Sequence, residues 1–258
     1  ACEREDLLNL ARVAFPKLRI SEIDDAMHQR SLPKSTEDVP LPFCYLASWA
    51  YILSADLRNA EYWLGQIRQR EQGESSSGKS LSMRVMEIKC ACLRNDFAAG
   101  LSLADETSDM LSGEDLMPLR ILLTNCYAES FDQQGDLSRG MEYHRKIEAA
   151  TEKYEFGQMA SINLYETAYS FFMQGDLSAS LRVCQAIEAR YPADFPSHPA
   201  ARALAAYIAV TCGECDGQTE ELEACLALLS PHRNIDMYLD CSVACAWAHF
   251  AQGDKAKA

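Results

Sequence analysis

The segment Gln174-Gly175-Asp176-Leu177 separates two stretches whose apolar residues recur at helical spacing. Leu164, Ala168 and Phe171 precede it, and Leu181 and Cys184 follow it. Residues three and four positions apart share one face of a helix, so each stretch predicts a helix with one buried stripe. Glycine can end a helix in the left-handed conformation, and aspartate can cap the free N–H groups of the next helix. The segment therefore predicts a helix–turn–helix hairpin.

The same turn recurs along the chain at a nearly constant interval. Its aspartates at positions 56, 96, 136 and 176 are separated by steps of 40 residues. The next member is expected at Asp216, inside the degenerate Glu214-Cys215-Asp216-Gly217, and the last at Asp254, 38 residues further on. A repeat of this length predicts stacked helical hairpins. We expect five complete hairpins and a truncated sixth over residues 41–258, preceded at 1–40 by two helices and a polar linker. No stretch alternates with the two-residue period of a strand, so we expect an all-α fold.

Composition restricts the function. The chain has 258 residues, 48% of them hydrophobic, and a formal net charge of −14. Such an acidic chain would repel phosphate, so we expect no nucleic-acid binding by it. No apolar run reaches the roughly 20 residues of a membrane helix. The 11 cysteines are mostly at helical spacing among apolar neighbours, as expected of free, buried thiols in a reducing cytoplasm.

Small and ring-bearing residues recur at fixed distances before each turn. A small residue stands eight positions before the aspartate in several units, and a ring stands five positions before it in most; the second and fifth units depart from this, with Ile88 and Ile208 at the small position. The recurring residues are Ser48, Ala128, Ala168 and Ala246, and Tyr51, Phe131, Phe171 and His249. The pattern resembles the tetratricopeptide repeat, although its period is longer than the usual 34 residues. The resemblance implies a right-handed superhelix of tetratricopeptide-like hairpins.

Longer repeats with Gly-Asp-Leu turns, and the stretch from Phe43 to Leu64 in particular, resemble the effector domain of large ATP-dependent, MalT-like regulators of the LuxR family. That resemblance implies a non-catalytic domain for ligand sensing and protein interaction in transcription regulation. Its partners would be a small-molecule inducer or a partner protein, and self-association is also implied. Nucleotide binding and DNA binding would belong to separate domains outside this fragment. The alternative interpretation is a generic tetratricopeptide scaffold that binds a peptide or partner protein.

Two motifs suggest chemistry but lack the context that it requires. Gly73–Ser80 matches the P-loop pattern, yet a polar helix end precedes it where a P-loop needs an apolar strand, so we interpret it as a linker. Cys212-Gly213-Glu214-Cys215 is a C-x-x-C without two further zinc ligands or a βαβ setting. The five histidines form no metal-spaced pair. We therefore predict no catalytic residues, no metal and no cofactor.

Three tyrosines are the candidate ligand-binding residues. Tyr127, Tyr165 and Tyr169 lie on the first helices of their hairpins, which face inward in such solenoids. Most aromatic residues at these positions are expected in the core, but rings bearing a hydroxyl suit an amphipathic ligand.

Overall fold

The computed structural model describes residues 41–53, 55–71, 80–111, 113, 116–154, 157–214, 216–229 and 235–254. The two helices and linker expected over residues 1–40 lie outside these ranges, as does the start of the second helix of the sixth hairpin.

The described ranges contain eleven α-helices and no strand, so the all-α prediction is confirmed. A short 3-10 turn, Asp109–Leu111, follows the fourth helix. The helices are α1 Leu41–Leu53, α2 Leu57–Glu71, α3 Leu81–Leu93, α4 Phe97–Ser108, α5 Met117–Gln133, α6 Leu137–Tyr154, α7 Gly157–Met173, α8 Leu177–Arg190, α9 Ser197–Thr211, α10 Gln218–Leu228 and α11 Ile235–Ala251.

The turns inside the hairpins have the predicted construction. The residue before the aspartate has a positive φ, for example 81° at Gly135 and 79° at Gly175. Ala55 and Asn95 take the same conformation in the first two hairpins, with φ of 54° and 59°. Asparagine tolerates this region better than alanine does, so Ala55 is the least favourable residue of the series.

The aspartates cap the second helices. Asp96 Oδ1 accepts the N–H of Ala99, and Asp176 Oδ1 accepts the N–H of Ala179, at 3.3 and 2.9 Å. Each bond satisfies one of the donors that the first turn of a helix leaves unpaired. The role predicted for the Gly-Asp pair is confirmed.

The fifth turn is not where the sequence placed it. In the other hairpins the aspartate N–H bonds the carbonyl five residues earlier, as Asp176 does with Phe171. In the fifth hairpin that bond runs from Glu214 to Ala209, and Gly213 before it has a φ of 91°. Glu214 therefore occupies the position that aspartate has in the other turns, and the prediction of Asp216 was wrong by two positions.

The shift also changes how the fifth hairpin matches the repeat. The position eight residues before Glu214 is Ala206, a buried small residue, so this unit keeps the small residue of the pattern, although Ala209 stands where most units have a ring. Two residues, 215 and 216, separate Glu214 from Gly217. Gly217 has a φ of 75° and begins α10 without a side-chain cap.

The chain divides into two compact units, with the boundary inside α6 after Tyr143. In the first unit α1 packs on α2, α3 on α4, and each later first helix packs on the hairpin before it: α3 on α1 and α2, and α5 on α3 and α4. In the second unit α9 packs on α7 and α8, and α11 on α9 and α10, in the same manner. Small residues permit close approach of the two helices of a hairpin. Ser180 Oγ on α8, for example, donates to the carbonyl of Ala168 on α7 at 2.8 Å.

None of the described helices combines the length and the apolar character needed to cross a membrane.

Candidate functional site

The second unit brings together two of the three predicted tyrosines and an aspartate that is distant in sequence. Tyr165 and Tyr169 are one turn apart on α7, and Asp240 is on α11. Tyr165 donates its hydroxyl to Asp240 Oδ2 at 2.8 Å, and Tyr169 also hydrogen-bonds the Asp240 side chain. Between these helices in the sequence lies α9, which contacts both α7 and α11. Its buried residues include Ala200, Ala203 and Ala206, which belong to the same core as Tyr165. We call these three residues the Tyr–Asp cluster.

A series of aromatic rings extends from the Tyr–Asp cluster. The Tyr165 and Tyr169 ring centroids are 6.4 Å apart, and those of Tyr169 and Phe172 are 6.0 Å apart. The Phe172 centroid is 5.3 Å from that of Tyr207 on α9. Tyr169, Phe172 and Tyr207 are only partly buried, so the aromatic series borders the carboxylate and also reaches solvent. Spacings of 4.5 to 7 Å are typical of favourable aromatic pairs.

Burial changes the acidity of each member of the Tyr–Asp cluster. Desolvation raises the pKa of Asp240 to about 6, and the negative charge of Asp236 also raises it, whereas the tyrosine hydrogen bonds oppose the shift. Desolvation and the neighbouring charge of Asp240 raise the pKa of Tyr169 to about 12 and that of Tyr165 as well. The tyrosines therefore remain donors over the physiological range, and Asp240 changes charge just below neutrality.

The third predicted tyrosine has a different environment, within the first unit. Tyr127 donates its hydroxyl to Asp105 Oδ1 on α4 at 2.6 Å. Its ring stacks on Tyr143 with centroids 4.9 Å apart and planes 11° apart, and Tyr143 stacks in turn on Phe131. The Tyr127 ring is buried between helices, so its contacts are those of a core residue that ties α4 to α5. The structure thus brings Tyr165 and Tyr169 together, whereas Tyr127 belongs to a separate cluster in the other unit.

A buried ion pair in the first unit was not predicted. Lys89 on α3 donates through Nζ to Asn125 Oδ1 at 2.6 Å and to both carboxylate oxygens of Glu129, at 2.6 and 2.7 Å. Lys89 is only 8% exposed, so its buried positive charge needs the hydrogen bonds and the negative charge that these partners on α5 supply. Glu129 lies 40 residues from Lys89, the length of one repeat, and this register is the signal that could have indicated the pair.

The P-loop-like segment is described only at its last residue, because residues 73–79 lie outside the described ranges. Ser80 is the N-cap of α3, and its Oγ accepts the N–H of Met83 at 3.2 Å. The same oxygen is within hydrogen-bond distance of the Tyr45 hydroxyl. A P-loop serine would direct this oxygen at magnesium, whereas here it accepts the N–H of Met83.

The cysteines of the described ranges are free, and all but Cys212 are buried, as predicted for Cys126, Cys184, Cys225, Cys241 and Cys245. Cys215, the second member of the C-x-x-C motif, lies outside the described residues. Among the residues that the structure describes, no group of three or more histidine, cysteine or acidic side chains has the arrangement of a metal site.

Comparison with known proteins gave no match among family models, curated proteins or solved structures.

Proposed function

We propose that this chain is the ligand-sensing and protein-interaction domain of a LuxR-type, MalT-like transcription regulator, and that it acts by binding without catalysis. Under this proposal its hairpins stack as tetratricopeptide-like repeats and the protein works in the cytoplasm. The capped turns and the repeated packing of each first helix on the hairpin before it support the repeat class. The proposed tie to transcription regulation depends on the resemblance of the first repeat and of the Gly-Asp-Leu turns.

The Tyr–Asp cluster is the observation that carries the sensing function. It joins side chains from two first helices, since Tyr165 on α7 and Asp240 on α11 are 75 residues apart in sequence. A ligand bound to isolated surface residues would have little effect on the fold. A ligand bound at the Tyr–Asp cluster would contact α7 and α11 together. Its binding energy would therefore change the relative stability of arrangements of these two helices.

The chemistry of the cluster favours a positively charged, amphipathic ligand. A carboxylate can accept about four hydrogen bonds, so the tyrosine hydroxyls leave part of the capacity of Asp240 unused. The faces of Tyr169, Phe172 and Tyr207 are electron-rich and attract ammonium or guanidinium groups. An aryl-alkyl amine or an arginine side chain combines both features, and the proposed inducer belongs to this class.

Thermal denaturation with a graded panel of ligands tests the proposed site. The panel compares phenethylamine and an arginine-containing dipeptide with a neutral sugar and a nucleotide, because a ligand that binds only the folded state raises the melting temperature. We expect the cationic ligands to raise the melting temperature of the wild-type chain and to have no effect on Asp240→Asn. Asp105→Asn is the matched control, since it alters the tyrosine–aspartate pair of the first unit, and its response should equal that of the wild type.

Failure of the cationic ligands to bind, or an unchanged response in Asp240→Asn, would contradict the proposed site. Binding of arginine peptides without any response to free amines would favour the generic scaffold. The regulatory assignment has its own test, which is the coding sequence on both sides of this fragment. A LuxR-type parent would carry a nucleotide-binding domain upstream and a helix-turn-helix downstream, and the absence of either would refute the assignment.

A further inference from the structure

One junction of the first unit pairs two cysteine thiols from different helices. Cys92 lies near the end of α3, and Cys126 lies in the middle of α5. The two thiol groups hydrogen-bond each other across the contact between these helices. Ser130 Oγ, one turn after Cys126 on α5, lies 3.5 Å from Cys92 Sγ. We call these three residues the thiol junction.

The repeat gives no packing reason for two thiols at this junction. Counted back from the turns, Cys92 stands four positions before its aspartate, and Cys126 stands ten positions before the next one. The same two positions at the other junctions inside the two units hold apolar side chains without a thiol: Ile52 and Met86, Phe172 and Leu204, and Val210 and Ala244. An ordinary apolar pair therefore meets the needs of packing, and two thiols add a chemical capacity.

The surroundings of Cys92 favour its thiolate, which is the reactive form of cysteine. The Cys126 thiol and the Ser130 hydroxyl hydrogen-bond its sulfur, and the ammonium group of Lys89 is one turn earlier on α3. Together they lower the pKa of Cys92 to about 7, although desolvation and the charge of Glu129 act in the opposite direction. Desolvation raises the pKa of Cys126 well above its usual value, so this partner keeps its proton.

Other buried thiols of the described ranges are poorer candidates. Burial raises the pKa of Cys90 to about 11 and that of Cys225 to about 12, so both stay protonated. Cys241 and Cys245 also hydrogen-bond each other, but they are one turn apart on the same helix. That spacing holds Cβ atoms about 5 to 6 Å apart, whereas a disulfide needs about 3.5 to 4.5 Å.

We propose that Cys92 and Cys126 are a peroxide-sensitive pair that forms a reversible disulfide between α3 and α5. The Cys92 thiolate attacks one oxygen of hydrogen peroxide, the O–O bond breaks, and the departing hydroxide takes up a proton to become water. Cys92 is then a sulfenic acid. The Cys126 sulfur attacks the Cys92 sulfur, the S–O bond breaks, and the hydroxyl leaves with the Cys126 proton as a second water. Two thiols are thus oxidised to a disulfide, and one peroxide is reduced to two waters.

The position of the thiol junction sets the order of the steps and their consequence. Cys92 is 7% exposed and Cys126 only 1%, so a small oxidant meets Cys92 first. The bridge joins the first helices of the second and third hairpins, which therefore cannot separate at this junction while it is closed. Disulfides of this kind in a reducing compartment are transient and report exposure to oxidant. The thiol junction is in a different unit from the Tyr–Asp cluster and does not depend on the proposed sensing function.

Site-resolved thiol mapping after a peroxide pulse tests the proposal. The reduced chain, freed of reductant, is treated with about 100 μM hydrogen peroxide, its remaining thiols are blocked with N-ethylmaleimide, and linked peptides are identified by mass spectrometry. We expect a peptide that links Cys92 to Cys126 and disappears in dithiothreitol. Both residues should be oxidised at least about 10-fold faster than Cys90, whose thiolate is far scarcer.

Three variants separate the two steps. Cys126→Ser removes the second thiol, so Cys92 should stop at the sulfenic acid, which dimedone labels. Cys92→Ser removes the first thiolate, so Cys126 should stay reduced. Cys90→Ser is the matched control, since Cys90 is a buried thiol two positions before Cys92 on the same helix, and it should form the wild-type bridge.

Several results would overturn the proposal. A wild type in which Cys92 and Cys126 stay reduced would show that the thiol junction does not react with peroxide, and this result needs no variant to fold. A Cys92 that bridges to a different cysteine would rule out Cys126 as its partner. Oxidation of Cys126 at the wild-type rate in Cys92→Ser, while the melting temperature confirms that this variant is folded, would show that Cys92 is not the attacking group.

Discussion

Asp240 should make the stability of the second unit depend on pH in a direction opposite to that of most carboxylates. Its pKa rises from 3.8 to about 6 on folding, so between these values the folded chain binds more protons at this site than the unfolded chain does. Stability from this group is therefore fully present below about pH 4 and is lost as pH rises through 6. A carboxylate whose pKa is lowered by folding has the reverse effect.

The size of the effect follows from the shift. Two pKa units correspond to about 3 kcal/mol at full development, and about 2 kcal/mol of that accumulates between pH 4.5 and pH 7.5. Asp240→Asn removes the titrating group. Both proteins are compared at pH 4.5 and pH 7.5. We expect the unfolding free energy of the wild type to fall by about 2 kcal/mol more than that of Asp240→Asn as pH rises over this interval.

Urea denaturation followed by circular dichroism at both pH values measures this difference, and comparison of the two proteins cancels the other titrating groups. Glu214→Gln is the control, because it removes an exposed carboxylate at the fifth turn and should keep the wild-type pH profile. If Asp240→Asn and the wild type lost the same stability between pH 4.5 and pH 7.5, Asp240 would not be a desolvated carboxylate, and the physical basis of the Tyr–Asp cluster would be wrong.

Two further predictions concern the stability of the hairpins. Lys89→Ala should lower the unfolding free energy by about 2 kcal/mol because it leaves Glu129 without its cation, and a double-mutant cycle with Glu129→Ala should show a coupling of about 1 kcal/mol; additive losses would contradict the ion pair. Gly175→Ala should destabilise by about 1 kcal/mol because alanine is strained at a φ of 79°, whereas Gly65→Ala, inside α2 with open space where the new Cβ would lie, should stabilise by about 0.5 to 1 kcal/mol. Equal urea midpoints for the two glycine variants would refute the assigned turn conformation.

The sequence predicts the hairpins well because their turns depend on local chemistry. A glycine that accepts a positive φ and an aspartate that caps a helix act within four residues, so Gly175 and Asp176 can be recognised without knowledge of the rest of the chain. The fifth turn shows where this recognition fails. Asp216 matches the spacing, but the backbone turns at Gly213 and Glu214, and a second glycine, Gly217, begins the next helix.

The candidate site was only half predictable. Tyr165 and Tyr169 are visible as hydroxyl-bearing rings on a first helix, but nothing local to Asp240 indicates that it faces them. That contact arises from two successive helix packings, α9 on α7 and α11 on α9. Tyr127 has the same local signature as Tyr165, and only its stacking on Tyr143 shows that it belongs to the core.

The bond from Tyr165 to Asp240 has a consequence for how the second unit loses its structure. In an array whose hairpins contact only their immediate neighbours, the terminal hairpin opens first and the remainder stays closed, one step at a time. Here α11 is hydrogen-bonded to α7 through Tyr165 and Asp240 and also packs on α9, so an opening that displaces α11 around Asp240 must also break the bond to α7. Fraying of α11 is thus coupled to α7, and the three first helices of the second unit should exchange as a single cooperative group.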